Sequence, residues 1–133
     1  MRVVVDTNVV VSGLLNPRGT PGRVVDLLLL GAVVPLVDDR ILAEYHDVLR
    51  RPTFGFRARD VDTLLRFLRT EGEHVTAPPL RVASADPADL PFVEVAVAGA
   101  ADALVTGNAR HFDPIAGTHD IDILTPAELL ARQ

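Results

Sequence analysis

Arg2 to Val5 reads Arg-Val-Val-Val, an apolar β-branched run too short for a helix, and it stops at a carboxylate, Asp6. Such a run is a buried strand, and further short apolar runs follow along the chain with helical stretches between. Thr7 to Leu15 carries apolar residues at Val9, Val10, Val11, Leu14 and Leu15 and reads as a short helix ending before Asn16-Pro17. Pro21 to Leu30 is a second helix, stopped by Gly31, and Val33 to Val37 a second buried strand, in which Pro35 favours an edge position. Asp38-Asp39 cap a helix running to about Arg50, which Pro52 halts. Ala58 to Thr70 is amphipathic, with Val61, Leu64, Leu65 and Leu68 on one stripe. After a turn at Pro78-Pro79, Asp86-Pro87 opens a helix towards Gly99. Ala103 to Val105 and Ile121 to Leu124 are further strands, and Pro126 starts a terminal helix. Strands alternating with helices across short connections predict a three-layer α/β/α sandwich with a mainly parallel central sheet. In such sheets ligands bind outside the carboxyl ends of the strands.

No repeat or long linker interrupts this pattern, so residues 1–133 are expected to form one domain. Hydrophobic residues make up 48% and charged residues 23%, which excludes a disordered tail or linker. No apolar run reaches the length of a membrane span, and Asp6, Thr7 and Asn8 break the first apolar stretch where a signal peptide would stay continuous. Cysteine is absent, which excludes a disulfide scaffold, and cytoplasm is the default location.

The net charge of −5 is not that of a protein that coats duplex nucleic acid. The cations are unevenly placed, however. Between His46 and Thr70 lie Arg50, Arg51, Arg57, Arg59, Arg66 and Arg69 against Asp47, Asp60 and Asp62, so this segment carries +3 and the remainder −8. A charge run of this kind is either a solvated helix face or a patch for phosphates. All 13 cations are arginine, with no lysine in the chain.

Several polar residues fall at the strand ends where a ligand is expected. Asp6 directly follows the first strand and is either a helix N-cap or a site carboxylate. Thr7 and Asn8 are turn formers or orienting groups for it. Glu44 stands at the margin of the stripe formed by Ile41, Leu42, Tyr45, Val48 and Leu49, whereas Asp47 faces solvent. Asp89 precedes Phe92, Val93, Ala96 and Ala100 at helical spacing, so it heads a buried face. Asp86 with Pro87 reads as cap and first helical residue; if the helix begins later, Asp89 is itself the cap. Thr106 and Asn108 follow the Ala103–Val105 strand, whereas Asp102 precedes it and belongs at the opposite edge.

Asp6, Glu44 and Asp89 are thus expected to converge on one cleft. At about 5 Å and an effective dielectric near 20, each pair of carboxylates repels by about 3 kcal/mol. Three such pairs approach the stability of a small domain, so protons or a cation must neutralise them. Oxygen ligands without cysteine or a histidine pair at zinc spacing point to Mg²⁺ or Mn²⁺. His46, His74, His111 and His119 show no such pairing and read as structural or surface residues.

These residues resemble the PIN-domain ribonucleases, particularly the VapC-like toxin components of bacterial and archaeal toxin–antitoxin pairs. The resemblance runs from Val3-Val4-Val5-Asp6-Thr7-Asn8-Val9 and Ser12-Gly13-Leu14 through Ile41-Leu42-Ala43-Glu44-Tyr45, Val48-Leu49 and Arg51-Pro52. It continues with Asp86-Pro87-Ala88-Asp89, Phe92-Val93-Glu94-Val95-Ala96, Ala101-Asp102-Ala103-Leu104-Val105-Thr106-Gly107-Asn108 and Ile123-Leu124-Thr125-Pro126-Ala127-Glu128. It implies that Asp6, Glu44 and Asp89 hold Mg²⁺ or Mn²⁺. The family's fourth acidic position falls on Asn108, where many members carry aspartate; an amide there is a weaker basis for a second tightly held ion and leaves the first intact. Thr7, Asn8 and Thr106 would orient Asp6 and water. The implied reaction is metal-dependent hydrolysis of an RNA phosphodiester to 5′-phosphate and 3′-hydroxyl ends. The implied partners are RNA and an antitoxin protein, with dimerisation expected and no membrane. Arg50 and Arg51, in the arginine-rich segment, would bind substrate, although that segment could equally receive an acidic antitoxin tail.

Two other readings compete. A phosphoryl-aspartate receiver needs a lysine, and the related phosphatases an acid where Asn8 stands; this chain has neither. A PIN-like module that binds RNA or a partner without cleaving is favoured by Asn108 and disfavoured by the intact Asp6, Glu44 and Asp89.

Overall fold

Among the described residues there are five strands and six α-helices, of which four strands and all six helices follow the order that the apolar pattern predicts. The computed structural model describes residues 1–81, 86–116 and 119–133. The chain runs β1 (Arg2–Val5), α1 (Thr7–Leu15), α2 (Thr20–Leu29), β2 (Val34–Val37), α3 (Asp39–Leu49), α4 (Ala58–Glu71), β3 (Glu73–His74), α5 (Leu90–Ala98), β4 (Ala103–Val105), β5 (Asp122–Leu124) and α6 (Pro126–Ala131). Short 3-10 segments occupy Pro52–Phe54 and Ala109–Ile115.

Every strand pairing among the described residues is parallel, in the order β3-β2-β1-β4-β5. Val3, Val4 and Val5 pair with Ala103, Leu104 and Val105, and all six are buried. That is why these strands read as continuous apolar runs: a parallel sheet is covered on both faces. The helices separate into two groups, α1 with α2 and α6, and α3 with α4 and α5, which completes the three-layer α/β/α sandwich. Gly13 permits the first group to close up, because a Cβ there would stand 2.7 Å from Val25 Cγ2 and 2.9 Å from the Pro21 carbonyl.

Several boundaries differ from the sequence expectation. Pro35 does not put β2 at an edge, since β3 lies outside it. The β2–β3 ladder instead starts at Leu36, one residue beyond the proline, and so spares it the missing N–H. β3 itself is a two-residue strand without a periodic signature. Asp86 and Pro87 do not begin α5; they form a turn in which Asp86 Oδ1 accepts the Ala88 N–H at 2.9 Å, and the helix starts at Leu90. Pro91 permits that later start because its missing N–H falls in the first helical turn. The Asp38 cap is as expected, its carboxylate accepting the Ile41 N–H at 2.9 Å.

The strand order sets the position of the site. From β1 the chain proceeds outward to β2 and β3, then returns to place β4 and β5 on the other side. The crevice between β1 and β4 at their carboxyl ends is therefore the point where the winding reverses, the usual ligand position in such sheets.

Candidate active site

Asp6 and Thr106 leave the carboxyl ends of β1 and β4 side by side. Asp6 occupies the N-cap position of α1, yet its side chain makes no capping hydrogen bond. Its Oδ2 instead accepts the Thr106 hydroxyl at 2.8 Å and the Asn8 amide at 3.1 Å. The capping reading of Asp6 therefore fails, and its carboxylate faces other polar groups. Thr106 is fully buried, and its oxygen also accepts the Asn108 N–H at 3.0 Å. Asn8 bridges the two strand ends, because its Oδ1 takes the Gly107 N–H at 3.2 Å while its amide holds Asp6. Of Thr7, Asn8 and Thr106, expected to orient Asp6 and water, Asn8 and Thr106 bond the Asp6 carboxylate, whereas the Thr7 hydroxyl donates to Glu44 Oε2.

Glu44 comes from α3, and Tyr45, its neighbour, fixes that helix against the sheet. The buried Tyr45 hydroxyl donates to the Val5 carbonyl, one residue before Asp6, and its ring leans on Phe92 of α5 at 6.3 Å between centroids. Burial first, then the charges of Asp6 and Glu44, push the Tyr45 phenol well above its ordinary range, so it stays a hydrogen-bond donor. Tyr45 read as core in the sequence; nothing in its spacing announced the bond to Val5.

Asp89 stands at the N-cap position of α5, again without capping it. Its side chain is 14% exposed, and its buried Oδ2 has no hydrogen-bond partner among the described residues. His111 Nδ1 lies 3.5 Å from that oxygen, within ion-pair range but too long for a good hydrogen bond. His111, expected to be structural or on the surface, is thus 54% exposed yet borders the cleft beside a site carboxylate. The 3-10 segment after Asn108 delivers it there, and no periodic signal marked that segment.

The cleft holds about 460 Å³ and is lined by Asp6, Glu44 and Asp89 together with Thr7, Asn8, Arg51, Phe54 and His111. Three acids from three distant parts of the chain share it. Asn108 is exposed and absent from the lining, and Arg50 is also outside, paired with Asp62 of α4 at 3.1 Å. Of the two substrate-binding arginines expected, only Arg51 reaches the cleft.

No arginine pairs with Asp6, Glu44 or Asp89 among the described residues. Burial raises the Asp6 pKa, aided by the Asp89 charge and opposed by the Thr106 hydroxyl, the Thr7 backbone and His111. Burial likewise raises that of Asp89; Asp86 and Glu44 add to the shift, and His111 opposes it. The cleft therefore carries more negative charge than its own cations offset. Its donors suit a hard cation in kind, being oxygens, with one buried carboxylate oxygen left without a hydrogen-bond partner among the described residues. Among the described residues, however, no three acidic or histidine side chains stand as a finished metal cage.

Elsewhere, Glu94, which is with Asp6 the other buried acid among the described residues, is accounted for structurally: it pairs with Arg40 at 2.6 Å and accepts the Leu80 N–H at 2.6 Å. Among the described residues no helix is long and apolar enough to cross a membrane.

The PIN domain family model matches residues 2–110. This chain belongs to the PIN domain family. PIN domains are generally nucleases, hydrolases that act on nucleic acid. The fold is that of a chain in the crystal structure of VapBC2 from Rickettsia felis bound to a DNA fragment from their promoter. The TM-score is 0.59 at 17% identity, over 94% of this PIN domain protein and 98% of that chain. A 44-residue stretch is 43% identical to uncharacterized protein MJ1680 of Methanocaldococcus jannaschii, covering 33% of this chain and 28% of the archaeal protein.

Proposed function

We propose that this PIN domain is a metal-dependent endoribonuclease and the toxin of a toxin–antitoxin pair. The observation that carries the reading is the convergence of Asp6, Glu44 and Asp89 on one cleft in which no arginine pairs with them among the described residues. Asp6, Glu44 and Asp89 are the residues that would hold Mg²⁺ or Mn²⁺. The ion would make water more acidic and offset charge on the phosphate and the leaving oxygen.

The reaction adds the elements of water across the P–O3′ bond, leaving a 5′-phosphate and a 3′-hydroxyl. The chain's own residues prepare the ground for it. Thr106 and Asn8 fix the Asp6 carboxylate, Thr7 fixes Glu44, and Tyr45 holds α3 at the end of β1. Arg51 is the arginine on the cleft lining and His111 offers a ring nitrogen there, and both meet the incoming phosphate chain. Asn108 acts through its backbone, which ties the turn after β4 to Thr106.

The likeness to a chain of a VapBC2 assembly supports an antitoxin protein as partner, and a homodimer is the assembly expected of the toxin. A cytoplasmic protein with no membrane partner fits this role. The experiment is RNA cleavage by the purified chain with Mg²⁺ or Mn²⁺ and with chelator, beside Asp6→Asn. Cleavage that needs the ion and is lost in Asp6→Asn supports the reading; cleavage that survives chelator overturns it.

A second reading is a PIN domain that binds RNA or a partner without cutting. The exposed Asn108 and the absence of a finished three-group cage among the described residues favour it. The same assay separates the two: RNA bound and left intact at saturating Mn²⁺ is the result it requires.

A further inference from the structure

One wall of the cleft is aromatic, and the hydrolysis reading leaves it without a role. After α3 the chain passes through Arg51 and the 3-10 segment Pro52–Phe54 to Gly55, which takes the left-handed conformation at φ +68°, and then Phe56. This tight reversal lays the two rings against each other, with centroids 5.7 Å apart and planes 18° from parallel. Phe54 lines the cleft beside Arg51, Glu44 and Val48, whereas Phe56 is outside the lining. Both rings are half-buried and pack against the edge of the core.

Aromatic residues are scarce here: five phenylalanines, one tyrosine and no tryptophan. Tyr45, Phe92 and Phe112 are buried, so among the described residues Phe54 is the aromatic side chain that reaches the cleft. Its neighbour Arg51 has no carboxylate partner among the described residues, unlike Arg50. An apolar ring backed by a second ring, next to an unpaired guanidinium and three acids, is the combination that grips a single nucleic-acid strand. Stacking takes the base, and the cation takes the phosphate.

We propose that Phe54 is a stacking platform for a nucleobase beside the cleaved bond, next to the phosphate that Arg51 meets. The inference rests on the ribonuclease reading and adds to that site a residue that positions the base. In an A-form duplex the base faces are covered by their neighbours, so Phe54 finds nothing to stack on. Because every base has a π-face, the platform discriminates strandedness and tolerates sequence. Phe56 makes the platform rigid and is a positioning residue.

The absence of tryptophan supplies the test, since Phe54→Trp introduces a single fluorophore at the proposed platform. Binding is measured in an Asp6→Asn background with a mixed-sequence single-stranded RNA of about 12 nucleotides, alongside the same strand annealed to its complement and a strand of abasic ribose phosphates. The expected results are quenched emission from Phe54→Trp with the single strand only, and about tenfold weaker binding by Phe54→Leu, restored by Phe54→Trp. Circular dichroism shows whether Phe54→Leu is folded; if it is not, the quenching and the abasic strand still decide. Unchanged binding by a folded Phe54→Leu, or unchanged emission at saturating RNA, overturns the platform. Metal-dependent cleavage by the wild-type chain reads the nuclease assignment separately. Cleavage without dependence on Phe54 overturns the platform alone, quenching without any wild-type cleavage overturns the nuclease alone, and no RNA binding overturns both.

Discussion

The Thr106 hydroxyl donates to Asp6 Oδ2 at 2.8 Å, joining the ends of β4 and β1 across 100 residues of sequence. The Thr106 hydroxyl oxygen also accepts the Asn108 N–H, so one buried side chain orients the carboxylate and closes the following turn. Thr106→Val keeps the shape and removes both bonds. It is expected to lower cleavage and metal affinity about 10- to 100-fold and to cost about 1–3 kcal/mol of stability, whereas Thr106→Ser retains most of both. Equal activity of the valine and serine variants would show that Asp6 needs no such support.

Tyr45→Phe leaves the buried Val5 carbonyl without its side-chain donor and frees α3 to shift relative to Asp6. Chemical denaturation should show a loss of about 1–3 kcal/mol, and RNA cleavage should fall with RNA binding little changed. If stability falls and cleavage does not, Tyr45 is a core residue only.

Asp86 and Asp89 are three residues apart and differ in what their carboxylates do. Asp86 is exposed and accepts the Ala88 N–H, while Asp89 carries a buried oxygen without a hydrogen-bond partner among the described residues. Asp89→Asn is therefore expected to abolish cleavage, and Asp86→Asn to leave most of it. Comparable activities in the two variants would move the site away from Asp89.

Acidity offers an independent reading of the same charges. Burial holds the folded-state pKa values of Asp6 and Asp89 above the ordinary aspartate value of 3.8, so the folded protein binds protons that the unfolded chain has released. Their contribution to stability is full below that value and is lost as pH rises through the raised pKa values. Metal-free wild type should accordingly lose melting temperature relative to Asp6→Asn across that window. A difference between the two that stays constant with pH would mean that Asp6 is not strained by its charge.

At neutral pH a bound cation should repair this loss. Mn²⁺ at 100 times its Kd adds about 2.7 kcal/mol by linkage, on the order of 10 °C for a chain of this size. Asp6→Asn and Asp89→Asn should lose most of the rise in a thermal scan. A rise of the same size in both variants would place the ion elsewhere.

The sequence revealed the acids through their relation to regular elements. Asp6 follows a valine run, Glu44 borders a helical stripe and Asp89 heads another, so period and punctuation sufficed to bring them to one edge. Arg50 and Arg51 are adjacent and chemically alike, yet one pairs with Asp62 and the other lines the cleft. That difference arises from where α3 ends and the chain turns, which periodicity does not encode. His111 and β3 were missed for a related reason: a 3-10 segment and a two-residue strand are too short to repeat. Pro35 misled because its missing N–H suggested an edge, whereas the neighbouring ladder begins just beyond it. The bonds from Thr106 to Asp6 and from Tyr45 to Val5 depend on tertiary contacts between residues 100 and 40 positions apart.

The most direct measurement is anomalous diffraction from crystals of the wild-type chain soaked in Mn²⁺. The account predicts a peak in the cleft between the carboxylates of Asp6 and Asp89, within reach of Glu44, and no peak there in Asp6→Asn. A wild-type cleft empty at saturating Mn²⁺, under conditions where the same preparation cuts RNA, would contradict it.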